Sequence, residues 1–346
     1  MRGSPRGIAK GLRGASATTG GISEVLISEG SRFTKEEMLR LAASAGLPAD
    51  GTLFDRWVTQ GLLDAAQTEG RGYRSGVLRT WPGGQAQLWL TLLSKRREGA
   101  KPRDLANGPV FIWLLWGEDY VPLRQVRRVV ETWAEVGRKA PRHDYRHAAR
   151  RLVKDVAAPG VDHHARDALV EALVDSARAR DLDEERVEAL VRRVVGARDA
   201  SAEVDGPRIF ESLRAQFAGV RTFAKFGNAE FKWARALYLV ASQSYARDWP
   251  QLAADPRFGR LYEPYDAAHI VNGAAGRIVF ILGLSEVMPP SASLPEVLTL
   301  DAWRSDRVHL GTNVEQQRSP IWTPAGYPVT GLHIEIELSI EPAASR

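Results

Sequence analysis

The chain has 346 residues, 44% of them hydrophobic and 26% charged, and it contains no cysteine. That length supports two or three domains with buried cores, and the missing thiols exclude disulfides and thiolate metal sites. No apolar run approaches the ~20 residues needed to cross a bilayer, and the N-terminal residues lack the apolar core of a secretory signal, so a cytoplasmic protein without membrane contact is expected.

The net charge of +5 is unevenly placed: residues 1–160 hold 26 Lys and Arg against 16 Asp and Glu, whereas 161–346 hold 21 against 26. A basic half joined to an acidic half suits a nucleic-acid-binding end attached to a part that stays off the polyanion.

Residues 1–30, rich in Gly, Ser, Arg and Thr, read as a disordered basic tail. Arg2, Arg6, Lys10 and Arg13 suit an arm trailing along phosphates; the blander alternative is a segment with no role of its own. Thr34, with Glu37 three residues later, forms a capping box, and Phe33 and Met38 flank it as a hydrophobic staple. Met38, Leu41 and Ala45 then recur at helical spacing up to Gly46. A second helix follows Asp50 or Thr52. Phe54, Trp57, Val58, Gly61 and Leu62 lie along one face, and Asp55, Arg56, Thr59 and Gln60 along the other. Residues 64–82 carry Arg71, Arg74 and Arg79 among Gly70, Gly72 and Gly76, and a third helix over 85–98 is apolar through Leu88, Trp89, Leu92 and Leu93.

Two short helices joined by a tight turn and followed by a basic hairpin can hold duplex DNA. The second helix enters the major groove and the hairpin lays arginines along the phosphates. The order FTKEEMLRLAASAG, LFDRWVTQGLL, LRTWPGG and QLWLTLLSKRREG resembles the winged helix-turn-helix module of the MerR family, over about residues 32–104. Phe54, Trp57, Gly61, Leu62 and Leu63 match that family's second helix, and Arg79 and Trp81 match its wing. The chain departs from the pattern at Asp55, where the family has arginine, and in GRGYRSG, which lengthens the wing. The resemblance implies a sequence-specific transcriptional regulator that binds double-stranded DNA as a homodimer. Base contacts are assigned to Thr52, Arg56, Thr59 and Gln60, and phosphate contacts to Arg71, Arg74 and Arg79. Two other readings use the same residues: an architectural or excision-type factor of a mobile element, and a scaffold whose helix-turn-helix module binds protein.

Beyond this module, 109–116 is a strongly apolar run ended by Gly117, Glu118 and Asp119. A helix over 122–136 turns Val126, Val129, Val130 and Trp133 inward and Arg124, Arg127 and Arg128 outward, where they meet solvent or reach phosphate. Heptads are not sustained, so a dimer would use a globular surface rather than a coiled coil. Residues 137–160, polar and basic with two prolines, read as a linker. Helices are expected over 165–179, 183–195, 207–223 and 229–246, then a loop over 249–264. Residues 277–284 suit either a strand or a buried helix, and Ile334, Ile336, Leu338 and Ile340 alternate as a half-buried strand. Trp81, Trp89, Trp113, Trp116 and Trp133 read as core anchors.

The fold expected is mainly α: a winged helix-turn-helix domain with accessory helices over 31–136, then a larger, mostly helical effector or oligomerisation domain over 161–346 with a few β-strands at its C-terminal end. The aromatic content of that second domain leaves room for a small-molecule effector. His143 and His147 stand four apart, with Asp162, His163 and His164 nearby, but basic surroundings favour a solvated cluster over a cation, so no metal site is expected. No phosphate-binding loop, dinucleotide fingerprint or nucleophile elbow occurs. Asp183, Glu184 and Glu185 sit at a helix start, where the macrodipole explains them. No catalytic residue, enzyme activity or cofactor is expected.

Overall fold

The N-terminal elements form where their caps place them. In the computed structural model, which describes residues 31–70, 77–195, 202–256, 259, 267–287, 295–316 and 332–341, β1 (Arg32–Phe33) leads into α1 (Lys35–Ser44), whose capping box between Thr34 and Glu37 is complete. The Glu37 carboxylate accepts from the Thr34 amide at 2.7 Å, and this bond, followed by the one to the Thr34 hydroxyl, holds its pKa below the ordinary value. Asp50 caps α2 (Gly51–Thr59) by accepting from the Leu53 amide at 2.6 Å. β2 (Gln67–Gly70) and β3 (Val77–Pro82) form an antiparallel hairpin, and β1 adds to its other edge in the order β1-β3-β2. Behind this sheet lies α3 (Gly83–Arg97). Phe54, Trp57, Trp81 and Trp89 meet edge to face at centroid distances of 4.9 to 5.2 Å, an aromatic knot that welds α2, β3 and α3 together.

After a short α4 (Pro102–Leu105) comes α5 (Asn107–Trp116), the apolar run. A helix apolar on every side has to be surrounded, and α5 is enclosed by α4, α6 (Leu123–Arg138), α11 (Asn228–Ala253), α12 (Ala267–Val287) and β4 (Val308–Gln316). β4 pairs antiparallel with β5 (Leu332–Ile340), and Ile336, Leu338 and Ile340 turn toward the core, matching the alternation in the sequence. The ambiguous run 277–284 lies within the helix α12, and α11 continues to Ala253, into the stretch expected to be loop.

The stretch 137–160, expected as a linker, is mostly α7 (Arg142–Val156), which buries Ala149, Val153 and Val156. With α8 (His163–Ala179), α9 (Glu184–Val195) and the start of α10 (Ala202–Arg221), it builds a second core around Leu169, Val174, Val187 and Val191. The prolines mark its ends: Pro141 stands at the N-cap of α7, where a missing N–H costs nothing. The first core unites Met38 to Val130 with Phe226 to Val308. The second core is therefore inserted between two parts of the first, and the described residues are mainly helical. No helix among the described residues is long and apolar enough to cross a membrane.

Candidate nucleic-acid interface

Of the four side chains assigned to base contacts, the structure leaves Thr52, Arg56 and Thr59 exposed on α2. The Thr59 hydroxyl donates back to the Asp55 carbonyl at 2.9 Å. Gln60 departs from the expectation: it is half-buried and lines a crevice with Arg103, Val129 and Trp133. The cause is Gly61, whose φ of +79° ends α2 and whose hypothetical Cβ would stand 2.6 Å from the Val129 amide. Only glycine lets α6 approach so closely, and that approach covers Gln60. The nearby Arg103 guanidinium stacks over Trp133 at 4.3 Å, and burial pushes its pKa down.

On the hairpin, Arg79 is exposed and pairs in register with Thr68. Arg71 and Arg74 lie outside the described residues, as does the 1–30 tail. Asp55, which taken alone would repel phosphate, is neutralised by Lys35, whose ammonium lies 2.7 Å from it. The sequence did not single out Arg96, in the last turn of α3. It lines an open groove of about 460 Å³ together with Asp50, Thr52 and Arg56. Its signal was the basic run Lys95–Arg97 closing that helix.

The arginines of α6 separate from these. Arg124 makes a bidentate pair with the buried carboxylate of Asp64, with Nε at 3.1 Å, and this hydrogen-bonded partner raises its pKa. Arg127 donates to the Phe226 carbonyl at 3.0 Å and to Asn228, and Arg128 donates to the Thr59 carbonyl at 2.7 Å. The expectation of a solvated face holds for Arg128, which is exposed, and is corrected for Arg127, which is half-buried; a helix-end carbonyl accepts from each guanidinium. Arg56, Arg79 and Arg96, by contrast, form no side-chain hydrogen bond or ion pair among the described residues.

A buried polar chain fixes the root of the hairpin. The Gln85 side chain accepts from the Asp64 amide at 2.8 Å and donates to Gln125 at 2.9 Å, and Gln125 donates to the Leu62 carbonyl at 3.1 Å. Trp81 closes it through the Asp64 carbonyl at 2.8 Å. Gln85→Ala leaves a buried donor and a buried acceptor unpaired, so a loss of about 2–3 kcal/mol is expected in urea unfolding. A loss under about 0.5 kcal/mol would show that this chain does not hold the hairpin in position.

Elsewhere, Asp162, His163 and His164 bring one ligand atom each within 4.8 Å of one another, all on exposed residues. Asp162 serves as the cap of α8, accepting from the His164 amide at 3.2 Å, which lowers its pKa. A cavity of about 110 Å³ between the α8–α9 turn, α10 and the end of α12 is lined mostly by charged side chains, among them Arg180, Asp181, Arg214, Arg221 and Glu286, together with Phe217. Comparison with protein-family models, with curated proteins and with solved structures returns no match to this chain.

Proposed function

We propose that this protein is a MerR-like transcriptional regulator that binds double-stranded DNA as a homodimer. In this reading α1 and α2 act as the helix-turn-helix and the β2–β3 hairpin as the wing. The observation that carries it is the contrast among arginines. Those of α6 are engaged by internal carbonyls and carboxylates, while Arg56, Arg79 and Arg96 stand exposed with no hydrogen-bond or ion-pair partner among the described residues, Arg56 and Arg96 on one groove with Thr52 and Arg79 on the hairpin. Unpaired guanidinia on a helix and an adjoining hairpin are suited to phosphate and to guanine edges. Arg56 takes base contacts with Thr52 and Thr59, whereas Arg79 and Arg96 take phosphate.

Selection of bound duplexes from a random library, followed by anisotropy titrations across salt, tests this. Arg79→Ala is expected to flatten the slope of log affinity against log salt by about one unit while leaving base preference intact. Arg56→Ala is expected to cost about 1–3 kcal/mol on the selected site and to relax its sequence preference. A library that yields no enriched site, together with an unchanged slope for Arg79→Ala, would sink the reading.

A further inference from the structure

The helix α7 has one side buried in the second core and the other exposed. His143, His147, Arg150, Arg151 and Lys154 are all exposed, and at 100° per residue they share an arc opposite Ala149, Val153 and Val156. Arg150 and Arg151 form no side-chain hydrogen bond or ion pair among the described residues. The acidic neighbours are few: Asp144 lies 3.1 Å from the His143 ring, Asp155 is half-buried, and Glu171 is taken by Arg142 and Arg146 at 3.1 and 2.7 Å. From His143 to Lys154 the stripe is ~16 Å long, the axial span of about five successive phosphates on one DNA strand.

From this stripe we infer that α7 is a second contact surface for the phosphate backbone of duplex nucleic acid, separate from the α2 face. Charge and shape argue for a polyanion in a row. A membrane-surface helix needs apolar side chains to bury in the bilayer, and those of α7 are consumed by its own core: Tyr145 and Leu152 pack there with the three buried residues. A protein partner needs an apolar or aromatic anchor at the centre of its patch, and the exposed arc offers only Ala148. The Tyr145 hydroxyl donates to the Gly137 carbonyl at 2.8 Å, joining α7 to the end of α6, which lies ~15 Å along that helix from the Arg128 contact with α2.

The test is the salt dependence of binding to a fluorescent random-sequence duplex by the full chain. Arg150→Gln/Arg151→Gln is expected to lower the slope by about two units, because two phosphate contacts release their counterions no longer. Arg178→Gln/Arg208→Gln makes the same change in net charge at exposed positions of α8 and α10 and is expected to leave the slope unchanged. Circular dichroism establishes that each variant is folded. An unchanged slope in the α7 variant, an equal fall in the control pair, or α7-dependent binding to phosphatidylserine vesicles with none to duplex would each overturn the inference. The two surfaces fail separately. If Arg56→Ala and Arg79→Ala change nothing while the α7 variant lowers the slope, the α2 surface is ruled out and the α7 surface stands. With the opposite pattern, α2 stands and α7 is ruled out.

Discussion

Arg235→Met is expected to lower the unfolding free energy by about 4 kcal/mol. Arg235 lies on α11 with 8% of its surface exposed, and no carboxylate bonds it among the described residues. Its guanidinium donates to the Leu114 carbonyl at 2.9 Å, the Leu115 carbonyl at 3.2 Å and the Thr312 hydroxyl at 3.0 Å. These carbonyls are the orphan acceptors at the end of α5, which has no polar side chain of its own to satisfy them. A cation there also suits the negative end of the helix. Two effects compete. Burial pushes the guanidinium down to about 10, against the pull of Glu118 and Asp119, so holding the charge inside costs stability. Even so, Arg235 stays protonated at neutral pH, and losing it strands two buried carbonyls at about 1–3 kcal/mol each plus the bond to Thr312. Loss wins over relief. Methionine retains most of the stem's packing, so the measured change isolates the polar head, and Arg235→Lys should fall between the two because it donates without the fork. Equilibrium urea unfolding reads the difference, and a Met variant within about 1 kcal/mol of the parent would show that water replaces the guanidinium.

Gly283→Leu should be costlier still, and should loosen the joint between the two cores. α10 and α12 cross with their backbones almost touching. A Cβ on Gly283 would lie 1.8 Å from the Ala215 carbonyl oxygen, and one on Gly219 would lie 2.0 Å from that of Val279. Both obstacles are backbone, which cannot rotate aside, so the helices must separate or the side chain cannot fit. α10 carries Phe210 in the second core, while Val220 packs on the first. Separation at this crossing therefore uncouples the two. Even Gly283→Ala is expected to cost on the order of 3 kcal/mol, at the upper end of overpacking. The double variant Gly219→Ala/Gly283→Ala should cost less than the sum, since one separation serves both. Hydrogen exchange would reveal lost protection in α10 and α12. A stable Gly283→Ala variant with native protection would show that the crossing can open without penalty.

Much of the local structure was legible in the residues. The Thr34–Glu37 box, the Asp50 cap, the positive-φ stop at Gly46 and the alternation of β5 all appear where spacing placed them, whereas Gly61, read as part of the apolar face of the second helix, lies past its end at a φ of +79°. Trp81, Trp89 and Trp113 are buried and Trp116 and Trp133 half-buried, as their apolar bulk dictates. The candidate interface was legible in part, since the exposure of Thr52, Arg56 and Thr59 follows from helical period alone. Other expectations went differently for reasons beyond that period. Gln60 is covered because α6 packs over Gly61. The expected linker is a helix because its apolar residues, too few for a core by themselves, find partners on α8 and α9.

By itself the sequence determined the caps, the helical and strand periods, and which face of each element is apolar, because those depend on groups three or four residues apart, or on alternate positions of one strand. The tertiary structure alone decided which cations are held by the fold and which stand exposed. Arg127 finds its carbonyl 99 residues away and Arg235 finds its own 121 residues away, and no local pattern encodes a partner at that distance. It also decided that an apolar run becomes a central helix and that one core is inserted into another, since burial is a property of what surrounds a segment and not of the segment.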